Sequence, residues 1–386
     1  MVTIGLLGKP SVGKSTFFSA ATMQTVEIGE RPFTTIKPNV GIAYVRVEDA
    51  GKEFNVQSQP RQGFIKGDYR FVPITLIDFP GLIPGAHKGK GLGNEFLSNI
   101  NQVEALIYII DISGSYDENG KFIGHGKYDP ENDIKFLDEE LLQWYKSLIE
   151  KNIEKIKRAI RAGKKVEEAI CLALSGLGVS SNLAEKIFEN YGDVDAWNIE
   201  NVANFIKNET KKILIAANKI DLPYGKENYE RLKKKYEIFP VFSEGELALK
   251  KAAKRQLIRY IEGESTFEII NPLKEEQKKA LEKISEIMKI YNGTGLQKIL
   301  EIAVFEKLSY ICVFPATSKL VDKENRILPD CFLMKNGSTV YDLALKVHTD
   351  IAKSLLYAID LKKKIKIGKD YLLKHRDVIE LISAAK

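Results

Sequence analysis

The chain has 386 residues, 44% of them hydrophobic and 28% charged, a composition unlike that of disordered polypeptides and long enough for two or three domains with their own cores. No apolar run approaches the roughly 20 residues that span a bilayer, and the apolar N-terminal stretch lacks a basic leader, so a cytoplasmic protein with no membrane partner is expected. The net charge of +6 permits RNA or another polyanion as partner; Cys171, Cys312 and Cys331 lack metal spacing and read as reduced core thiols, and the four histidines are too scattered for a metal centre.

The first element is a buried strand at 2–7. It runs into Gly8-Lys9-Pro10-Ser11-Val12-Gly13-Lys14-Ser15-Thr16, which has the spacing of a phosphate loop and is followed by a helix from Ser15. The glycines let backbone N–H groups approach a polyphosphate, and the positive end of the helix faces the same anion. In that arrangement Lys14 neutralises β- and γ-phosphate charge and Ser15 offers its hydroxyl to Mg²⁺. Residues 29–41, punctuated by Pro32 and Pro38, read as a loop in which Thr34 and Thr35 supply a hydroxyl and an N–H able to meet Mg²⁺ and the γ-phosphate.

Strands follow at 42–47 and 71–77, the second ending in Asp78-Phe79-Pro80-Gly81. An aspartate at the carboxyl end of a strand, before a glycine turn, is where a doubly wound sheet presents a carboxylate to Mg²⁺ and a backbone sensor to the γ-phosphate, here Gly81. Gly85, Gly89, Gly91 and Gly93 mark a second switch loop containing His87. A helix from about Asn94 leads to a continuously apolar strand, 105–111, suited to the middle of a parallel sheet.

From 129 to 210 the pattern is helical, with Lys151, Lys155, Lys157, Arg158, Arg161, Lys164 and Lys165 on the outward face. Leu174–Val179 reads as an αα-hairpin turn with some likeness to a helix-hairpin-helix. The sheet resumes at 213–217 and ends in Asn218-Lys219-Ile220-Asp221. The Asp221 carboxylate can accept from both N1–H and the exocyclic amine of guanine, which adenine cannot match. Asn218 holds the loop and reaches N7, and the Lys219 stem covers the ring. A strand at 238–242 and a turn at Ser243-Glu244-Gly245-Glu246 close the base pocket from the other side. A Lys-rich helical stretch, about 246–300, precedes strands at 310–315 and 330–334, a helix capped by Ser338-Thr339, and a strand at 378–382, together a small α+β unit of β-grasp type.

These five motifs look like those of a translation-factor-class GTPase. Phe33-Thr34-Thr35-Ile36-Lys37-Pro38-Asn39 and Gly89-Lys90-Gly91-Leu92-Gly93-Asn94-Glu95-Phe96-Leu97 resemble the Obg superfamily, and the layout is similar to its YchF-related branch, with Asn336–Ala344 and Val347–Ile351 similar to TGS domains. The resemblance implies a doubly wound, mainly parallel α/β P-loop GTPase fold at 1–128 and 211–303, an inserted helical domain at 129–210 and a TGS-like β-grasp domain at 304–386. It implies a monomeric GTP-hydrolysing switch acting on the ribosome or RNA. An RNA-binding assembly factor with structural nucleotide and a YchF-like ATPase are the alternatives.

YchF proteins proper end the fourth motif in glutamate and prefer ATP, so Asp221 argues for GTP. Ser11 stands where many relatives carry the asparagine linked to potassium-assisted catalysis, leaving K⁺ dependence open. Leu82 occupies the place of the water-orienting glutamine of many small GTPases and cannot orient water. His125, close to where YchF-like proteins place a catalytic histidine, and His87 are the candidates for that role.

Overall fold

The computed structural model describes residues 1–24, 38–82 and 100–384. Thr34, Thr35, His87 and the glycine segment around it lie outside the described residues. Strands β1 (Thr3–Leu7), β2 (Asn39–Glu48), β3 (Phe64–Lys66), β4 (Tyr69–Asp78), β5 (Ala105–Asp111), β6 (Lys212–Asn218) and β7 (Ile238–Val241) form one sheet in the order β2-β4-β1-β5-β6-β7, with β3 on β4. From β4 to β7 every pairing is parallel, whereas β2 and β3 run antiparallel to β4.

The apolar run at 105–111 forms the buried central strand it predicts, and alternation along β5 decides what packs where. Ala105, Ile107 and Ile109 face Phe17 and Phe18 of the helix Lys14–Thr22. Leu106, Tyr108 and Ile110 share a core with Leu137, Leu141, Trp144 and Tyr145 of the long helix Glu131–Arg161. The helical stretch, which continues through Val166–Leu174, Ser181–Tyr191 and Ile199–Thr210, therefore grows out of one face of the sheet. At the expected hairpin Gly178 turns the chain at φ 80° and Ser180 caps the next helix by accepting from the Leu183 N–H.

Two expectations are corrected downstream. Ser243–Glu246 is the first turn of a helix, Ser243–Lys254, rather than a turn on its own. The Lys-rich stretch is not one helical run: Gln256 adopts a left-handed conformation, and a short hairpin of β8 (Ile258–Arg259) and β9 (Glu268–Ile269) intervenes before the helices Glu275–Tyr291 and Leu296–Glu301.

The last unit is a five-stranded sheet ordered β11-β10-β14-β12-β13, with β10 at Tyr310–Pro315, β11 at Phe332–Lys335, β12 at Leu355–Asp360, β13 at Ile365–Ile367 and β14 at Asp377–Ser383. Its helix, Val340–Val347, starts with a capping box between Thr339 and Asp342. Alternation again sorts the faces: Ile311 and Val313 pack on that helix, whereas Cys312 and Phe314 join the core containing β1.

Arg70 of β4 ties the two sheets together. Its guanidinium, 1% exposed, donates to the Leu328 and Pro329 carbonyls at 2.6 Å each. Arg70→Met leaves the Leu328 carbonyl without a donor and the Pro329 carbonyl with the Arg61 N–H alone, and is expected to cost about 2 kcal/mol in urea unfolding. A variant as stable as the parent would show that this contact contributes nothing.

Candidate nucleotide site

The loop after β1 is shaped by close approach. A Cβ on Gly8 would lie 2.6 Å from the Ile109 carbonyl oxygen, and one on Gly13, at φ 89°, 2.4 Å from Asn218 Nδ2. Lys14 and Ser15 open the helix there. Lys14 Nζ donates to Asp78 Oδ1 at 2.7 Å, and Ser15 Oγ donates to Asp78 Oδ2 at 3.4 Å. Asp78, at the end of β4 and paired with Leu6 of β1, has a side chain only 2% exposed. Its turn folds onto the phosphate loop: Leu82 N–H donates to the Gly8 carbonyl, and a Cβ on Gly81 would sit 3.2 Å from Pro10 N. Leu82 itself is buried in the core. The Ser15 hydroxyl and Asp78 carboxylate are adjoining hard oxygen donors, a pair that fits Mg²⁺.

Not every side chain of the loop faces the site. Val12 is buried, and its carbonyl accepts from Asn218 Nδ2 at 2.9 Å. Lys9 points inward, leaving its backbone to the phosphate side. Ser11, at φ 66°, donates through Oγ to the Gly120 carbonyl at 2.9 Å.

At the other end, Asn218 Oδ1 accepts from the Ser243 N–H at 3.2 Å, so one amide staples the phosphate loop to the start of the helix at Ser243. Lys219 Nζ donates to the Ser11 carbonyl at 2.6 Å, lies 3.2 Å from Asp111 Oδ2 and sits 4.1 Å over the Tyr116 ring. Burial pushes the Lys219 ammonium down, opposed by Asp111, and burial pushes the Asp221 carboxyl up. The Ser243 hydroxyl is buried and has no protein partner. A cavity of about 200 Å³ runs between these groups, floored by Gly13 and Thr16 and walled on one side by Asn218, Lys219, Asp221, Phe242, Ser243 and Glu244.

The opposite wall is Ser115, Tyr116, Phe122 and His125, from the loop after β5. His125 Nδ1 lies 2.6 Å from Ser115 Oγ, which lies 2.5 Å from Ser113 Oγ; Ser113 Oγ donates to Asp111 Oδ1 at 2.5 Å. Asp111 closes this chain on Lys219. The structure thus brings His125 into one cavity wall with Asn218, Lys219 and Asp221; Lys14 and Asp78 take no part in that wall. Tyr116 and Phe122 were not singled out from sequence. Their signal is position: they follow the carboxyl end of a central parallel strand, where ligands of open α/β sheets bind.

Family models match three stretches in succession: 50S ribosome-binding GTPase at residues 3–156, Obg-like GTPase YGR210-like, G4 motif-containing domain at 216–318, and TGS domain at 319–383. A GTP-binding protein of Methanocaldococcus jannaschii is 42% identical across 100% of both chains. The crystal structure of a GTP binding protein from Pyrococcus horikoshii OT3 superposes with a TM-score of 0.77 at 31% identity, covering 99% of this chain and 100% of the other. The ribosome-binding ATPase YchF of Mycoplasma pneumoniae is 34% identical over 56% of this chain and 57% of its own. A full-length relative at this identity, on top of phosphate and base loops that meet over one cavity, settles the family: the chain belongs to the YchF-related branch of the Obg-like P-loop GTPases and carries a TGS domain.

Proposed function

We propose that this chain binds GTP with Mg²⁺, hydrolyses it to GDP and phosphate, and uses the difference between the two states to set its affinity for the ribosome or RNA. The observation that carries the guanine reading is the Asp221 carboxylate facing the cavity, beside a buried Ser243 hydroxyl that still lacks a partner. Guanine offers two adjacent N–H donors to such a carboxylate, whereas adenine presents an acceptor nitrogen there. Ser15 and Asp78 would hold Mg²⁺, with Thr35 as a further proposed ligand, and the ion supplies charge neutralisation at the β- and γ-phosphates. Lys14, released from Asp78, moves its charge to the transferring phosphoryl oxygens.

With Leu82 buried, water must be oriented by another group. His125, which lines the cavity, and His87, which follows Asp78-x-x-Gly81 in sequence, are the residues we propose for that role, with Thr34 beside Thr35. Slow intrinsic turnover, raised by a large partner, follows from this arrangement.

Support for the ribosome or RNA comes from two directions. The Mycoplasma relative is named as ribosome-binding. Residues 150–165 hold seven cations against Glu150 and Glu154, a net of +5, nearly the whole excess of the chain. Lys151, Lys155, Arg158, Arg161, Lys164 and Lys165 are exposed and outside any ion pair among the described residues. No described helix is long and apolar enough to cross a membrane; a cytoplasmic monomer is the form we propose.

Co-sedimentation with purified ribosomes, with a non-hydrolysable GTP analogue, with GDP and without nucleotide, tests the switch. At least a tenfold difference in affinity between the GTP-analogue and GDP states is expected. Salt-dependent binding that ignores the nucleotide would instead favour an RNA-binding factor with structural nucleotide.

A further inference from the structure

Lys9 occupies the second position of the phosphate loop, yet its side chain is 1% exposed and turned away from the phosphate side. Its Nζ donates to the Tyr116 carbonyl at 2.8 Å, lies 2.9 Å from Asp133 Oδ1 and sits 3.7 Å over the Tyr128 ring. Each partner belongs to a different part of the site. Tyr116 lines the cavity and lies under Lys219, whereas Asp133 is in the first turn of the helix Glu131–Arg161, the root of the helical arm.

We infer that Lys9 and Asp133 form a positioning pair that sets the Tyr116 wall of the base cavity and couples nucleotide occupancy to the root of the helical arm. The inference rests on the guanine-nucleotide reading of the cavity.

Burying two charges is costly unless their geometry is good, and apolar residues of similar volume generally fill such a place at no loss of stability. A buried pair at this junction is therefore explained by what it holds in register. Asp133 is 2% exposed, and burial pushes its carboxyl up to about 6 although Lys9 and Tyr128 pull it down. The loop between Tyr116 and Tyr128 hangs on the phosphate loop at a second point, where Ser11 donates to Gly120 and a Cβ on Gly120 would lie 2.7 Å from Pro10 Cβ. Nucleotide that orders the phosphate loop thus orders the Tyr116 wall, and through Asp133 the arm. Linkage makes the coupling reciprocal: a ligand that shifts the arm shifts nucleotide affinity by the same factor.

The test uses the full chain, a fluorescent GDP for affinity, and amide hydrogen exchange of segments 116–128 and 131–145 with and without GDP. In the parent, GDP slows exchange in both segments. Lys9→Met and Asp133→Asn are each expected to raise the GDP Kd at least tenfold and to abolish the response of 131–145. Lys9→Met/Asp133→Leu, which removes both charges, is expected to recover the parent melting temperature within a few degrees and still leave 131–145 unresponsive; a purely structural pair would be rescued in both respects. Single variants that bind GDP within twofold of the parent, with 131–145 still responding, overturn the pair. A parent chain that binds neither GDP nor GTP overturns the guanine reading instead.

Discussion

Asp221→Asn is expected to weaken GDP binding by two to three orders of magnitude and to leave ADP binding unchanged. In the proposed complex the carboxylate accepts two charge-assisted hydrogen bonds from guanine, each contributing about 1.5–3 kcal/mol, and about 1.4 kcal/mol corresponds to tenfold in affinity. The same variant should gain affinity for xanthosine diphosphate, because xanthine carries a carbonyl where guanine has its amine and the asparagine N–H₂ can donate to it. Competition with fluorescent GDP measures all three affinities. Acidification gives a second reading. Burial raises the Asp221 carboxyl above the usual aspartate range, and guanine needs it ionised. GDP affinity in the parent therefore falls as pH drops, beginning at a higher pH than a solvated aspartate would give. The asparagine variant should lack that contribution.

Lys14→Met is expected to lower kcat for GTP hydrolysis at least 10³-fold, since in the proposed mechanism the transferring phosphoryl group loses the charge that Lys14 supplies. The Lys14–Asp78 contact adds a stability effect of separate origin. Lys14 is the ion partner of the nearly fully buried Asp78 carboxylate, and removing one member of such a pair costs about 3–5 kcal/mol. Adding Asp78→Asn should restore stability in urea unfolding without restoring hydrolysis. If Lys14→Met alone unfolds at the parent urea concentration, Asp78 does not depend on Lys14 in the free protein.

The residues that declare themselves in the sequence are those whose neighbours in the chain are also their neighbours in space. Gly8 to Ser15 sit between a strand and a helix that the local pattern already indicates, and the apolar runs 105–111 and 310–315 become β5 and β10 with those bounds. Asp78 and Asp221 are picked out for the same reason, the first ending β4 and the second following close behind β6. The far wall of the cavity is not. Tyr116 matters because Lys219 covers it and Lys9 holds its carbonyl, contacts spanning about a hundred residues that no window along the chain reveals.

Lys9 reads as one more phosphate-loop residue until its burial shows which way it points. Ser243 reads as a turn because Gly245 follows it, although that glycine is needed for room: a Cβ there would meet the Phe242 ring at 2.5 Å. β12 and β13 are hard to read from the chain because β12 follows directly on the short helix Thr349–Lys353 and β13 is only three residues, Ile365-Lys366-Ile367. His125 shows the reverse case. Its place in the sequence suggests a part in hydrolysis, and the fold adds what the sequence hides, a hydrogen bond to Ser115 and a place in the cavity wall with Asp221.

Titration calorimetry of the parent chain with GDP and with ADP, each with Mg²⁺, tests the central claim most directly. Binding of GDP at least a hundredfold tighter than ADP is the predicted result. Equal affinities, tighter ADP, or no binding of either would contradict it.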